Sequence, residues 1–301
     1  MELRAGIPLI SDLKTLQGQE AYQQHVEFNR RFLASHRAAI ERYGRQWGTD
    51  PFELWSRRWE YPFAAERILA FAAREGAAGG STALRVLDAG SGVTYFPYFL
   101  CERLPGTRVI CSDSNPKYHQ IFAQVNQGVA SGNGSPEHPG GEPSVTFVEA
   151  MLQSLPFQDA SQDVVACISV LEHTDNYGEI LNEFARVLRS GGLLVLTFDL
   201  SLDDKFNLSR AKAADLLARL GEKFESVGGA DLGETASAEL GRIEQTDAIL
   251  STDYVRRTEP KLLPWKHPLL KSVHDLMHGH GWTGGFRSKS VFCLEARAKA
   301  K

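Results

Sequence analysis

From Leu84 to Leu200 the chain alternates short apolar runs with segments of helical periodicity, and no other feature restricts its fold as much. LRVLDA, TRVICSD, SVTFVEA, DVVACIS and LLVLTFDL read as strands. FPYFLCERL, KYHQIFAQVN and YGEILNEFARVLRSGG, between them, read as helices, the last ending at its glycines. Strands alternating with helices predict a mainly parallel sheet covered on both faces. SVFCLEARAK, near the end, reads as a closing strand.

The flanks follow other patterns. From Ser11 to Tyr43 apolar residues recur at helical spacing, and Gly44 offers a stop. Pro62 is placed to open another helix, and GAAGGST reads as a linker. Residues 1–80 are therefore expected as a helical extension before a core spanning 81–301. Residues 128–144, rich in glycine and proline, read as a flexible insertion without regular structure. SRAKAADLLARLGEKF and HPLLKSVHDLMHGHG read as helices, and VRRTEPKLLPWKHP as a loop.

The first strand ends in VLDAGSGVT, an acid followed by two glycines. A dinucleotide fingerprint needs G-x-G-x-x-G, but Tyr95 fills its third position, and no G-K-[ST] follows for a P-loop. Asp88 stands two residues before Gly90, where it would repel a pyrophosphate and suit a sulfonium or ammonium ligand.

Here the chain resembles the class I S-adenosylmethionine-dependent methyltransferases. Asp88, Gly90 and Gly92 match their D/E-x-G-x-G turn, with Thr94 where many members keep a third glycine. Asp113, at the end of the next strand, matches the acid that grips the ribose hydroxyls; a carboxylate can accept from both. Residues 155–173 resemble the family's fourth-strand block. The resemblance implies a doubly wound, mainly parallel seven-stranded α/β sheet (Rossmann-like) with a reversed final strand. It also implies S-adenosylmethionine as cofactor, with Ser91, Ser114 and Ser169 near it and Asn115 open between turn and contact. Where relatives place an acid for adenine, this chain has Met151 and Leu152, which implies an apolar slot. By analogy Trp59 and Tyr61 close the methionine end, so the aromatic extension (with Trp47 and Trp55) would act as a lid; burial as a plain anchor is the rival reading. An insertion at about 201–265 would form the acceptor pocket.

Methyl transfer from a sulfonium needs alignment and water exclusion, and a base only when the acceptor must lose a proton. His173 and Glu172 are the candidates for that task, with a structural role as their alternative. HDLMH at 274–278 spaces two histidines like a zinc-protease helix, but the acid is Asp275 and only His280 offers a third ligand, so no metal is expected. A net charge of -4 disfavours nucleic acid as partner. No apolar run is long enough for a membrane span, and the scattered Cys101, Cys111, Cys167 and Cys293 fit buried thiols in a reducing cytoplasm. The expected function is methyl transfer to a small-molecule acceptor, with a homodimer left open. Two rivals stand: a catalytically idle partner subunit, and non-methyl-transfer chemistry with the same cofactor.

Overall fold

The computed structural model describes residues 2–44, 50–131, 144–205, 208–227, 232–243, 248–263 and 287–300. Its strands are β1 (Arg85–Ala89), β2 (Arg108–Asp113), β3 (Val145–Glu149), β4 (Gln162–Ile168), β5 (Leu188–Ser201), β6 (Phe224–Ser226) and β7 (Lys289–Ala298). They form one sheet in the order β3-β2-β1-β4-β5-β7-β6. β1 to β5 run parallel, and β7 is antiparallel to both β5 and β6. The strand order reverses between β1 and β4, which opens a crevice at their carboxyl ends.

The helices are α1 (Ile10–Gln17), α2 (Glu20–Gly44), α3 (Arg57–Ala77), α4 (Phe96–Arg103), α5 (Tyr118–Ser131), α6 (Tyr177–Val187), α7 (Arg210–Lys223), α8 (Leu232–Arg242) and α9 (Thr252–Thr258). Alternation along the strands sorts the core into two layers. Val86, Val109, Val164 and Val195 pack with Trp59, Phe63 and Phe71 of α3 and with Phe96 and Phe122. Leu87, Val165, Cys167, Leu194 and Leu196 pack on the other face with Phe184, Leu216 and Leu217. Each fully buried large side chain contributes roughly 1.5–3 kcal/mol. The helices of residues 1–80 thus cover the sheet directly. All four cysteines are free and buried, and burial pushes the Cys101 thiol up to about 12.

Several local expectations are corrected. Pro62 does not open a helix; it lies inside α3, which starts at Arg57 and runs through Ala77 into the expected linker. Its missing N–H deprives the Arg58 carbonyl of a helical partner. α6 stops at Val187, ahead of its glycines, because Leu188 is already extended and paired with Gln162. Gly191, at φ +71°, then sits where the β4–β5 register shifts. α5 continues through Ser131, so residues 128–131 of the expected insertion are helical, and 132–143 lie outside the described residues. The start of the expected 255–268 loop is helical in α9, capped by the Ser251 side chain on the Tyr254 amide. Trp47 and residues 264–286, with HDLMH and His280, also lie outside the described residues.

Candidate active site

The crevice at the strand-order reversal holds a cavity of about 400 Å³. Its floor is the turn after β1. Gly90 and Gly92 take φ +72° and +53°, the left-handed region that glycine enters without steric cost. The Gly90 and Ser91 amides both donate to the Ser112 carbonyl, at 2.7 and 3.0 Å, which ties the turn to β2. A side chain at Gly90 would put its Cβ 2.5 Å from Val170 Cγ2, so the turn and the segment after β4 approach as closely as a bare backbone allows.

Asp113 lines the cavity at the end of β2. It accepts from the Gly92 amide at 3.3 Å and the Asn115 amide at 3.1 Å. Burial raises its carboxyl above the ordinary range, with the Asn115, Gly92 and Ser114 amides pulling it back. Asn115 is a turn residue, its side chain accepting from the Lys117 amide. Thr94 lines the cavity and also accepts from the Phe96 amide at the start of α4.

Of the residues singled out in the sequence, Gly90, Ser91, Gly92, Thr94, Asp113, Ser114, Met151, Leu152, Ser169, Tyr61 and His173 all line this one cavity. Met151 is 54% exposed, an apolar side chain left on the wall, whereas Leu152 is buried. Tyr61 packs edge-on against Tyr95, at 5.5 Å between ring centres. Three candidates are placed differently. Trp59, expected to close the methionine end, is wholly buried in the core and does not line the cavity, which is the anchor reading. Asp88 is not at the mouth: it is buried and does not line the cavity. Burial, then the neighbouring Asp113, pushes its carboxyl up to about 7. Glu172 also stays behind the wall, both carboxyl oxygens buried without a hydrogen-bond partner. Burial and then Asp199 raise it well above the ordinary range, against the pull of Arg57. Its Oε1 lies 4.0 Å from His173 Nε2.

The sequence reading gives no role to Arg57 and Glu60, which the fold brings to the site. Arg57, with Pro51, Leu54 and Tyr61, supplies the part of the wall contributed by the amino-terminal helices. Glu60 is completely buried and bonds Arg57, Ser169 and Thr197. The available signal is R-x-x-E one helical turn apart among aromatic residues, where an acid can enter the core only with a partner. None of the described lining residues comes from 201–265. There, Leu9 bridges Ile249 and Ser251 bridges Ser290, so the described part of this segment joins the amino terminus to β7. Among the described residues, no group of His, Cys, Asp and Glu is arranged to hold a metal ion, and no helix is long and apolar enough to cross a membrane.

Residues 87–196 match the family model of the methyltransferase domain. That span carries the turn after β1, Asp113, Met151 and His173. Residues 87–196 are a class I S-adenosylmethionine-dependent methyltransferase domain. An uncharacterized methyltransferase of Mycobacterium sp. (strain JLS) is 32% identical over 127 residues, 42% of this chain and 42% of the relative. The demethylmenaquinone methyltransferase of Deinococcus radiodurans is 33% identical over 112 residues, 37% of this chain and 42% of that protein. An uncharacterized methyltransferase of Mycobacteroides abscessus is 28% identical over 113 residues, 38% of this chain and 39% of the relative. The chain thus spans less than half the length of these relatives. The methyltransferase domain belongs to a family of enzymes, and the similarity centres on the crevice.

Proposed function

We propose that this protein transfers a methyl group from S-adenosylmethionine to a small-molecule acceptor. One observation carries the reading: Asp113 and the Gly90–Gly92 turn, joined by a hydrogen bond, face the same cavity as the exposed Met151. A carboxylate for a diol, a backbone turn open to close approach and an apolar surface for a flat ring are what an adenosine needs. The residues present fit the cofactor. Asp113 would hold the ribose hydroxyls, Met151 and Leu152 would flank the adenine, and Ser114 would stand beside the ribose. Gly90, Ser91, Gly92, Thr94, Ser169 and Tyr61 would surround the rest. Among the described lining residues Arg57 is the only arginine or lysine, and it suits the terminal carboxylate.

The bound cofactor supplies an already activated methyl group. The chain's own task is to align the acceptor, keep water out and, where the acceptor must lose a proton, receive it. His173 is the imidazole in the described wall. Its side chain is exposed at the cavity, and partial desolvation, with Asp199 opposing, lowers its pKa, so it is neutral and able to accept a proton at pH 7. A cavity of about 400 Å³ suits a small ligand more than a polymer, and the net charge of -4 supports an acceptor other than nucleic acid. Calorimetry is the first test: S-adenosylhomocysteine should bind and NAD should not. Labelled methyl donor and mass analysis of products then separate methyl transfer from an idle fold or from other chemistry. Tight NAD binding without S-adenosylhomocysteine binding would overturn the proposal.

A further inference from the structure

Glu60 is a glutamate with no exposed surface, at the first turn of α3. Burying a carboxylate costs several kcal/mol unless its oxygens are satisfied. Here they are. Oε2 accepts from Arg57 Nη1 at 2.6 Å, and Oε1 accepts from Ser169 Oγ at 2.5 Å and Thr197 Oγ1 at 2.6 Å. Its three donors come from α3, from the segment just after β4 and from β5. Ser169 is itself in the left-handed region at φ +51°, unusual for a residue with a side chain, and its amide is held by Thr197. Arg57 and Ser169 both line the cavity, while Glu60 and Thr197 do not. Among the described residues, Nη1 is the Arg57 nitrogen with a protein partner. The remaining donors of its planar fork are therefore available to the cavity.

We propose that Glu60 is a positioning residue: it locks Arg57 against the sheet edge so that the guanidinium reads a carboxylate ligand at the methionine end of the cavity. This rests on the cofactor reading above. Burial alone would make Arg57 easier to discharge; Glu60, with Tyr61, Asp199 and Glu172 behind it, outweighs this and keeps it charged. A free arginine pays rotamer entropy each time it closes on an anion, whereas one already held by a buried ion pair does not. Because the other oxygen of the same carboxylate holds Ser169 and Thr197, Glu60 ties the reading head to the end of β4. A carboxylate in this cavity has two sources, the amino-acid end of the cofactor and an acidic acceptor. That Arg57 lines the same cavity as the glycine turn and Asp113 favours the first.

Calorimetry on the full chain tests this with two probes that differ in the amino-acid portion: S-adenosylhomocysteine, which has it, and 5′-methylthioadenosine, which lacks the carboxylate. The parent should prefer the first. Arg57→Gln should weaken S-adenosylhomocysteine by about tenfold or more and leave 5′-methylthioadenosine unchanged. Glu60→Gln should act in the same selective direction with Arg57 intact. Thr197→Val removes one bond to Glu60 and should give a smaller selective loss; it decides the matter if Glu60→Gln does not fold. Equal losses for both probes would make Glu60 merely structural, and an unchanged ratio in these variants would remove it from ligand reading; either overturns the inference. Arg57→Gln binding both probes like the parent would move the carboxylate to the acceptor, and also overturns it. A parent that binds neither probe would instead sink the functional reading.

Discussion

Asp113 Oδ2 accepts a hydrogen bond from the Gly92 amide at 3.3 Å, so the acid after β2 and the turn after β1 hold each other in place. The pair is preorganised: the carboxylate that would take two hydroxyls is already aimed by the backbone it shares the cavity with. Asp113→Ala should therefore weaken S-adenosylhomocysteine binding by about 1.5–3 kcal/mol, the range for lost hydrogen bonds to a charged group. The thermal midpoint should change little, because Asp113 sits half-buried at a strand end. Calorimetry and a melting curve on the same preparation check both halves.

Gly90→Ala faces two obstacles, its φ of +72° and a Cβ placed 2.5 Å from Val170 Cγ2. A loss of about 1–3 kcal/mol in stability is expected, along with weaker nucleoside binding. Adding Val170→Ala should relieve the clash but not the backbone strain, so recovery should be partial. Full recovery in denaturant titration would show that strain plays no part.

The pH dependence of stability should carry the mark of Asp88. Its folded carboxyl is pushed up to about 7, above its ordinary value, by burial and by Asp113. A group raised on folding binds its proton more tightly in the native state, so its stabilising contribution is full at low pH and is lost as pH rises through 7. Between pH 5 and pH 8 the parent's denaturation midpoint should therefore fall. Asp88→Asn loses this titration and keeps only that of Glu172, pushed up to about 8 by burial, so its curve should be flatter over that window. Parallel curves would remove Asp88 as the source.

Trp59 has no exposed surface and packs between α3 and the sheet. Trp59→Ala should cost about 3–5 kcal/mol, as large-to-small changes in a packed core do. Deleting residues 1–56 strips the helices packed beside it and should abolish cooperative unfolding. A truncated chain that melts like the parent would show that the first helices are a detachable cover.

The sequence by itself determined the order of elements and the chemistry of the turn. Short continuous apolar runs marked the strands, and Tyr95 in the third glycine position, with the acid-led glycine pair, spoke against a dinucleotide fingerprint, because these signals are local. The ribose acid was legible for the same reason: it stands at the end of the strand after that turn. Tertiary structure decided what depends on burial. Asp88 and Glu172 look like site residues along the chain, yet the fold places both behind the cavity wall. Pro62 reads as a helix start, but packing of α3 on the sheet outweighs the loss of one backbone hydrogen bond. Glu60 and Thr197 lie 137 positions apart and meet at 2.6 Å. No periodicity or spacing records such a contact, since it exists only when α3 crosses the carboxyl edge of the sheet and removes water from an acid that must then find its donors there.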